Sequence, residues 1–241
     1  MKKIICFVFL LIFVVSTGYC SNESFVIKEL NLELIKCPTG SFMMGSPEEE
    51  YSKIKDEMNV CHKDAYGFEY SEELHSVTIS KPFYIGKYEI TQNQYRSIMG
   101  NNPSKFKGEN NPVESVDWLK AKLFCIKLNY LYKNILPKGY KFDLPTEEQW
   151  EYACRAGTNT PFNNSSSKNI DEVACYSANA SGTTHMIGQK KPNAWDIYDM
   201  QGNVWEWCRD VYIDYMEKGK ITVVRGKMFL TSHGKEFFPI M

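Results

Sequence analysis

The chain reads as α+β. Helical segments with firm start signals stand among short strand-like runs, and no strand alternates with a helix in the βαβ order of a parallel sheet. The connections are long and aperiodic, which makes the expected architecture irregular and loop-rich. With 241 residues, 43% of them hydrophobic and 14% aromatic, the chain can bury a sizeable core. It shows no internal repeat and no interdomain linker. One domain is expected over 38–241, preceded by a lead-in at 21–37 and a leader at 1–20.

Each element has a local cause. Thr91-Gln92-Asn93-Gln94 is a capping box that opens a short helix burying Tyr95, Ile98 and Met99 and stopping at Gly100. A second helix is predicted over about 116–132, where Leu119, Phe124, Cys125, Leu128 and Leu131 recur at helical spacing as its core positions. Thr146-Glu147-Glu148-Gln149, after Pro145, is another capping box, and that helix is expected to end at Gly157. Strand-like runs lie at 76–80, 83–85, 141–144 and 221–224. The stretches 47–71 and 158–193, with the polar run 163–167, have no period and read as loops.

The N-terminus has the parts of a secretory signal. Lys2 and Lys3 precede an apolar run over 4–15, and the small residues Ser16 and Gly18 offer cleavage after Gly18 or Cys20. The run is too short to span a bilayer. A lipid anchor on Cys20 is the lesser alternative, because bulky Tyr19 precedes it. Export, to the periplasm or beyond, is therefore expected, with no membrane span after leader removal. The formal net charge of −1 gives no sign of a nucleic-acid or anionic-membrane partner.

Cys37, Cys61, Cys125, Cys154, Cys175 and Cys208 follow the leader. In an exported chain their even number permits disulfides without choosing a connectivity. None forms a Cys-x-x-Cys pair and Cys61-His62 are adjacent, so zinc is not expected. His62, His75, His185 and His233 sit in unrelated contexts and read as surface or hydrogen-bonded residues. Glu147, Glu148 and Glu151 share a helix start, where carboxylates complement the dipole. No nucleophile elbow or phosphate loop is present.

The densest chemistry lies in Asp199-Met200-Gln201-Gly202-Asn203-Val204-Trp205-Glu206-Trp207-Cys208-Arg209-Asp210. Asp199 and Glu206 supply hard oxygen ligands, Gly202 lets the backbone turn between them, and nearby carbonyls can complete an oxygen cage for calcium. The plainer alternative has Asp199 capping a turn, Glu206 paired with Arg209, and the tryptophans in the core.

This stretch, with Phe42-Met43-Met44-Gly45-Ser46, Tyr84-Ile85-Gly86-Lys87-Tyr88-Glu89-Ile90-Thr91-Gln92, Asn111-Pro112-Val113-Glu114, the block at 144–158 and Lys191-Pro192-Asn193-Ala194-Trp195, resembles the formylglycine-generating enzyme, or sulfatase-modifying factor, family. The blocks keep the family's order across about 38–226. The resemblance implies a single C-type-lectin-like domain whose long loops are held by aromatics, disulfides and calcium. It places one structural calcium on Asp199, Gly202, Val204 and Glu206, the two middle residues giving backbone carbonyls. Asp196 stands where the family usually has glycine.

Family enzymes oxidise a sulfatase cysteine to formylglycine with a copper-binding cysteine pair near the C-terminus. Val223-Val224-Arg225-Gly226 matches the start of the block that precedes that pair, but no cysteine follows Cys208 and 227–241 matches no block. Copper is therefore not expected and no catalytic residue is assigned. In the family the equivalents of Cys125 and Cys154 pair with C-terminal partners. Here they are expected either free or re-paired with Cys37, Cys61, Cys175 or Cys208.

Three readings follow. The chain is a non-catalytic exported member whose calcium-stabilised scaffold binds a protein or glycan, or a formylglycine-generating oxidase, or a truncated or frameshifted fragment without activity.

Overall fold

A computed structural model describes residues 23–47, 74–159, 170–213 and 223–225. The leader, Cys61, His62, the polar run 163–167, His233 and the tail from 226 lie outside the described residues.

Strand β1 (Ser24–Ile27) turns through a single 3-10 turn at Lys28–Leu30 into β2 (Leu32–Cys37). Asn31 takes the left-handed conformation that ends this turn, φ 49°, which asparagine tolerates. β2 pairs antiparallel with β1 on one side and with β5 (Phe83–Gly86) on the other, giving the order β1-β2-β5. The segment expected as a lead-in thus supplies two of the three strands. β3 (Gly40–Met44) and β4 (His75–Ile79) form a second antiparallel pair, Gly40 opposite Ile79 and Met44 opposite His75. β6 (Val211–Ile213) pairs with β7 (Val223–Arg225). Residues 141–144, expected as a strand, are irregular. Their backbone is held by side chains instead: Asn129 Oδ1 accepts from the Phe142 amide at 2.9 Å, and Asp143 Oδ1 accepts from the Leu144 amide at 2.9 Å.

Among the described residues three helices complete the fold: α1 (Gln92–Met99), α2 (Trp118–Tyr132) and α3 (Glu147–Arg155). Both expected capping boxes form, at Thr91 with Gln94 and at Thr146 with Gln149. α1 ends on Gly100 at φ 83°, whereas α3 ends one residue before the expected glycine, on Ala156 at φ 46°. α1 buries Tyr95 and Ile98 and leaves Met99 half-buried.

α2 departs from expectation. Phe124, Cys125 and Leu128 are buried, but Leu119 and Leu131 are 61% and 54% exposed, as are Leu123, Ile126 and Tyr130 to a large degree. This helix is apolar on two faces. Helical periodicity finds such a helix but cannot say which face the sheet will cover.

Among the described residues most buried apolar side chains fall into two clusters. One joins Ile35, Cys37, Phe42, Phe83 and Ile79 to Trp150, Tyr152 and Cys154 of α3 and to Ile197, Met200 and Cys208. The other joins Ile27, Leu30 and Leu32 to Tyr95, Ile98, Phe124 and Leu128. β2 contributes to both. Each fully buried aliphatic such as Ile27, Ile35 or Ile197 contributes about 1.5–3 kcal/mol.

Candidate metal centre

The turn at 199–206 is fixed by backbone constraints before any ligand is considered. Asp199 and Asn203 occupy the left-handed region at φ 58° and 71°, which Asp and Asn adopt more readily than most residues. Between them the Gly202 amide donates to the Asp199 carbonyl at 3.2 Å. A Cβ on Gly202 would stand inside the van der Waals radius of the Cys175 carbonyl oxygen, so only glycine permits this approach. The Asn203 amide donates to the same Cys175 carbonyl at 2.7 Å.

Two further segments close on the turn. Asp199 Oδ2 accepts from the Gly188 amide at 2.6 Å. Glu89, buried, accepts from Asn203 Nδ2 at 2.8 Å and from the Val204 amide at 3.2 Å. The Asn203 side chain also donates to the His185 carbonyl at 3.1 Å and accepts from the His185 amide at 3.0 Å. One asparagine therefore joins the turn to two chain segments distant in sequence. His185 itself lies against the Ala180 carbonyl at 2.9 Å, the hydrogen-bonded role expected of it.

Three carboxylates share this neighbourhood. Burial pushes Glu206 up to about 7, the Trp150 indole beside it favours the ionised form, and Asp199 pushes it up further. Burial also raises Asp199, against the Gly188 amide. Glu89 is held well above the ordinary range by burial first, then by Asp199 and Glu206, while the Val204 amide and Asn203 pull it down. Among the described residues no lysine or arginine forms an ion pair with any of the three.

Crowded carboxylates without a basic partner fit a bound cation, and an all-oxygen donor set favours calcium over zinc or copper(I). Asp199 and Glu206 would hold it with the carbonyls of Gly202 and Val204. Among the described residues no three His, Cys, Asp or Glu side chains meet closely enough to share one ion. Glu89 is accordingly not a third side-chain ligand. It orders the turn from behind, through the Val204 amide and Asn203. The sequence offered only a faint signal for it, a charged residue between Tyr88 and Ile90.

The chain beyond the turn is anchored by indoles. Trp207 Nε1 donates to the Val116 carbonyl at 2.7 Å, Trp118 Nε1 donates to the Cys208 carbonyl at 2.8 Å, and the Arg209 amide donates to the Pro145 carbonyl at 2.7 Å. Trp205 and Trp207 are half-buried rather than core, and Arg209 is exposed with no ion pair to Glu206. Asp196, in the position where glycine was the family's usual choice, takes φ 64° and pairs with Lys87 at 2.8 Å. That pair ties the entry turn to the residue that follows β5.

Cys37, Cys125, Cys154, Cys175 and Cys208 are buried free thiols. Of the alternatives for Cys125 and Cys154, the structure has the unpaired one. Burial raises every one of the five, to about 12 for Cys37 and Cys154 and about 11 for Cys125. Cys154 lies within 3.2 Å of Gln201 Nε2, which lowers it only slightly against that burial.

An α+β domain of this kind, with a capped α3 beneath an acidic, glycine-bent turn, defines a lectin-like scaffold. The chain matches the Sulfatase-modifying factor enzyme 1-like domain over residues 26–238 and belongs to that family. It is 37% identical to the chaperone protein LppX of Paenibacillus barcinonensis, over 55% of this chain and 63% of that protein. It is 25% identical to the formylglycine-generating enzyme of Mus musculus, over 57% of this chain and 36% of that enzyme. The chain thus spans less than two thirds of the length of either relative. Among solved structures, Treponema denticola variable protein 1 superposes with a TM-score of 0.62 at 25% identity, covering 82% of this chain and 79% of that one. Among the described residues no helix is long and apolar enough to cross a membrane.

Proposed function

We propose that this chain is an exported, non-catalytic member of the family, in which calcium on Asp199, Gly202, Val204 and Glu206 stiffens a lectin-like scaffold that holds a polypeptide partner. The state of the cysteines carries this reading. Thiol oxidation by copper needs a thiolate, and every described thiol is buried with its pKa pushed up, Cys125 to about 11 even though it lines an apolar cavity. Copper has no part in the reading. Export is supported by the leader-like segment at 1–20. A polypeptide rather than a glycan partner is favoured because the 37%-identical relative is itself called a chaperone protein.

The similarity to the mouse enzyme favours a second reading, formylglycine generation. One experiment separates them. The purified protein, with copper, oxygen and a sulfatase-derived cysteine peptide, is expected to leave the peptide thiol intact, and to suppress light scattering by reduced, aggregating lysozyme. Conversion of the thiol to an aldehyde would establish the oxidase instead, and unchanged scattering would remove the polypeptide-binding role.

A further inference from the structure

The two apolar clusters do not close on each other. They cover opposite faces of the sheet, Ile35 and Cys37 of β2 on one and Leu32 and Leu34 on the other, and at the β5 edge a cavity of about 640 Å³ is lined from both, by Phe83, Ile85 and Met200 and by Tyr95, Phe124 and Leu128. Protein interiors are close-packed and seldom leave apolar space of this size, which is in the range of ligand sites. All four residues of β5 line it.

Among the described residues β5 is an edge strand, and its hydrogen-bond phase is fixed. The Lys87 amide donates to the Glu33 carbonyl at 2.9 Å and Ile85 stands opposite Ile35, so the odd-numbered residues bond β2. The N–H and C=O groups of Tyr84 and Gly86 therefore face away from β2. Among the described residues no other backbone hydrogen bond uses them. A small apolar ligand would fill the space and leave these groups unmatched. An extended main chain would satisfy both needs at once.

The mouth adds a charge preference. Lys81, Lys138 and Arg209 line the same cavity, are exposed, and form no ion pair among the described residues. We propose that the β5 edge and its cavity take an added strand from a partner: an extended polypeptide with about four apolar residues in its centre and acidic flanks. This deepens the polypeptide-partner reading and rests on it. The partner's main chain would bond Tyr84 and Gly86, and its successive side chains would meet Ile85 on one face of the sheet and Phe124 on the other.

The test uses the full chain with calcium and a fluorescein-labelled peptide, Glu-Glu-Val-Thr-Val-Tyr-Val-Glu-Glu, read by anisotropy. Two N-methylated versions carry the methyl groups in opposite phases along the strand. Saturable binding is expected, weakened at least tenfold by one methylation phase and little by the other, since only one phase faces β5. Ala121→Trp, which fills the cavity, should weaken binding to a similar degree while circular dichroism stays native. Should that variant not fold, the double variant Lys138→Glu and Arg209→Glu, both exposed, must weaken the acidic-flanked peptide and strengthen a lysine-flanked one. No binding, equal loss in both phases, or binding of 1-anilinonaphthalene-8-sulfonate alone overturns the strand site. If lysozyme scattering is still suppressed in those cases, the polypeptide role stands and only its location is wrong.

Discussion

Glu89 and Asn203 show how a turn that looks self-contained depends on residues far away in sequence. Asn203 satisfies the buried Glu89 and spans to both His185 backbone groups from a left-handed conformation. Asn203→Ala removes the donors, leaves a buried carboxyl short of a partner, and puts alanine at positive φ. A loss of about 2–4 kcal/mol is expected in urea unfolding, with the slope unchanged. Glu206 sets a pH dependence. Its folded value of about 7 lies above the ordinary 4.5, so between those values the folded protein holds a proton that the unfolded chain has released. Stability of the calcium-free protein should therefore fall as pH rises from about 5 to about 7, and Asp199 and Glu89, also raised, act in the same sense. Calcium needs the ionised form, so Tm measured with excess calcium should lose that decline. The bend at Gly202 between Asp199 and Glu206 was legible in the sequence because it is local, whereas the calcium on it is what the family resemblance implies. Glu89 was not legible, because only the fold brings residue 89 to residue 204.

Helices whose cause is local were read correctly. Each capping box needs only four consecutive residues, and both formed. Thr146→Ala deletes the bond to the Gln149 amide, 3.1 Å, and should lower stability by about 1 kcal/mol. The effect should reach β3, because α3 is tied to it through Glu151, which accepts from the Gly45 amide at 3.0 Å, and Arg155, which donates to the Gly45 carbonyl at 2.7 Å. Faster amide exchange at Met44 and Gly45 in that variant is the measurement. β1 and β2 escaped the sequence reading because their burial is not a simple alternation: β2 buries Leu32, Ile35 and Cys37 into two different clusters. The two-faced α2 misled for the converse reason, since five apolar residues at helical spacing need not share one buried side.

At the scale of the whole molecule, sheet, helices and long loops converge on the 199–209 segment. Trp118 and Trp207 fasten it to the start of α2, Pro145 receives the Arg209 amide, and Cys175 and Gly188 hold its other side. The family was legible from ordered motif blocks and the α+β class from capped helices among short strands, whereas the free state of the cysteines depended on where the fold places them, which no spacing reveals. A segment with so many dependants is where one ion would stabilise the entire domain, and calcium that binds only the folded form must raise the melting temperature. The decisive measurement is a thermal scan of the full chain at pH 7.5 with millimolar calcium and with chelator, for the wild type and for Glu206→Ala. A Tm several degrees higher with calcium in the wild type, and no calcium-dependent difference in Glu206→Ala, is the predicted result. An equal shift in both proteins, or none in the wild type, would contradict the assignment of calcium to this turn.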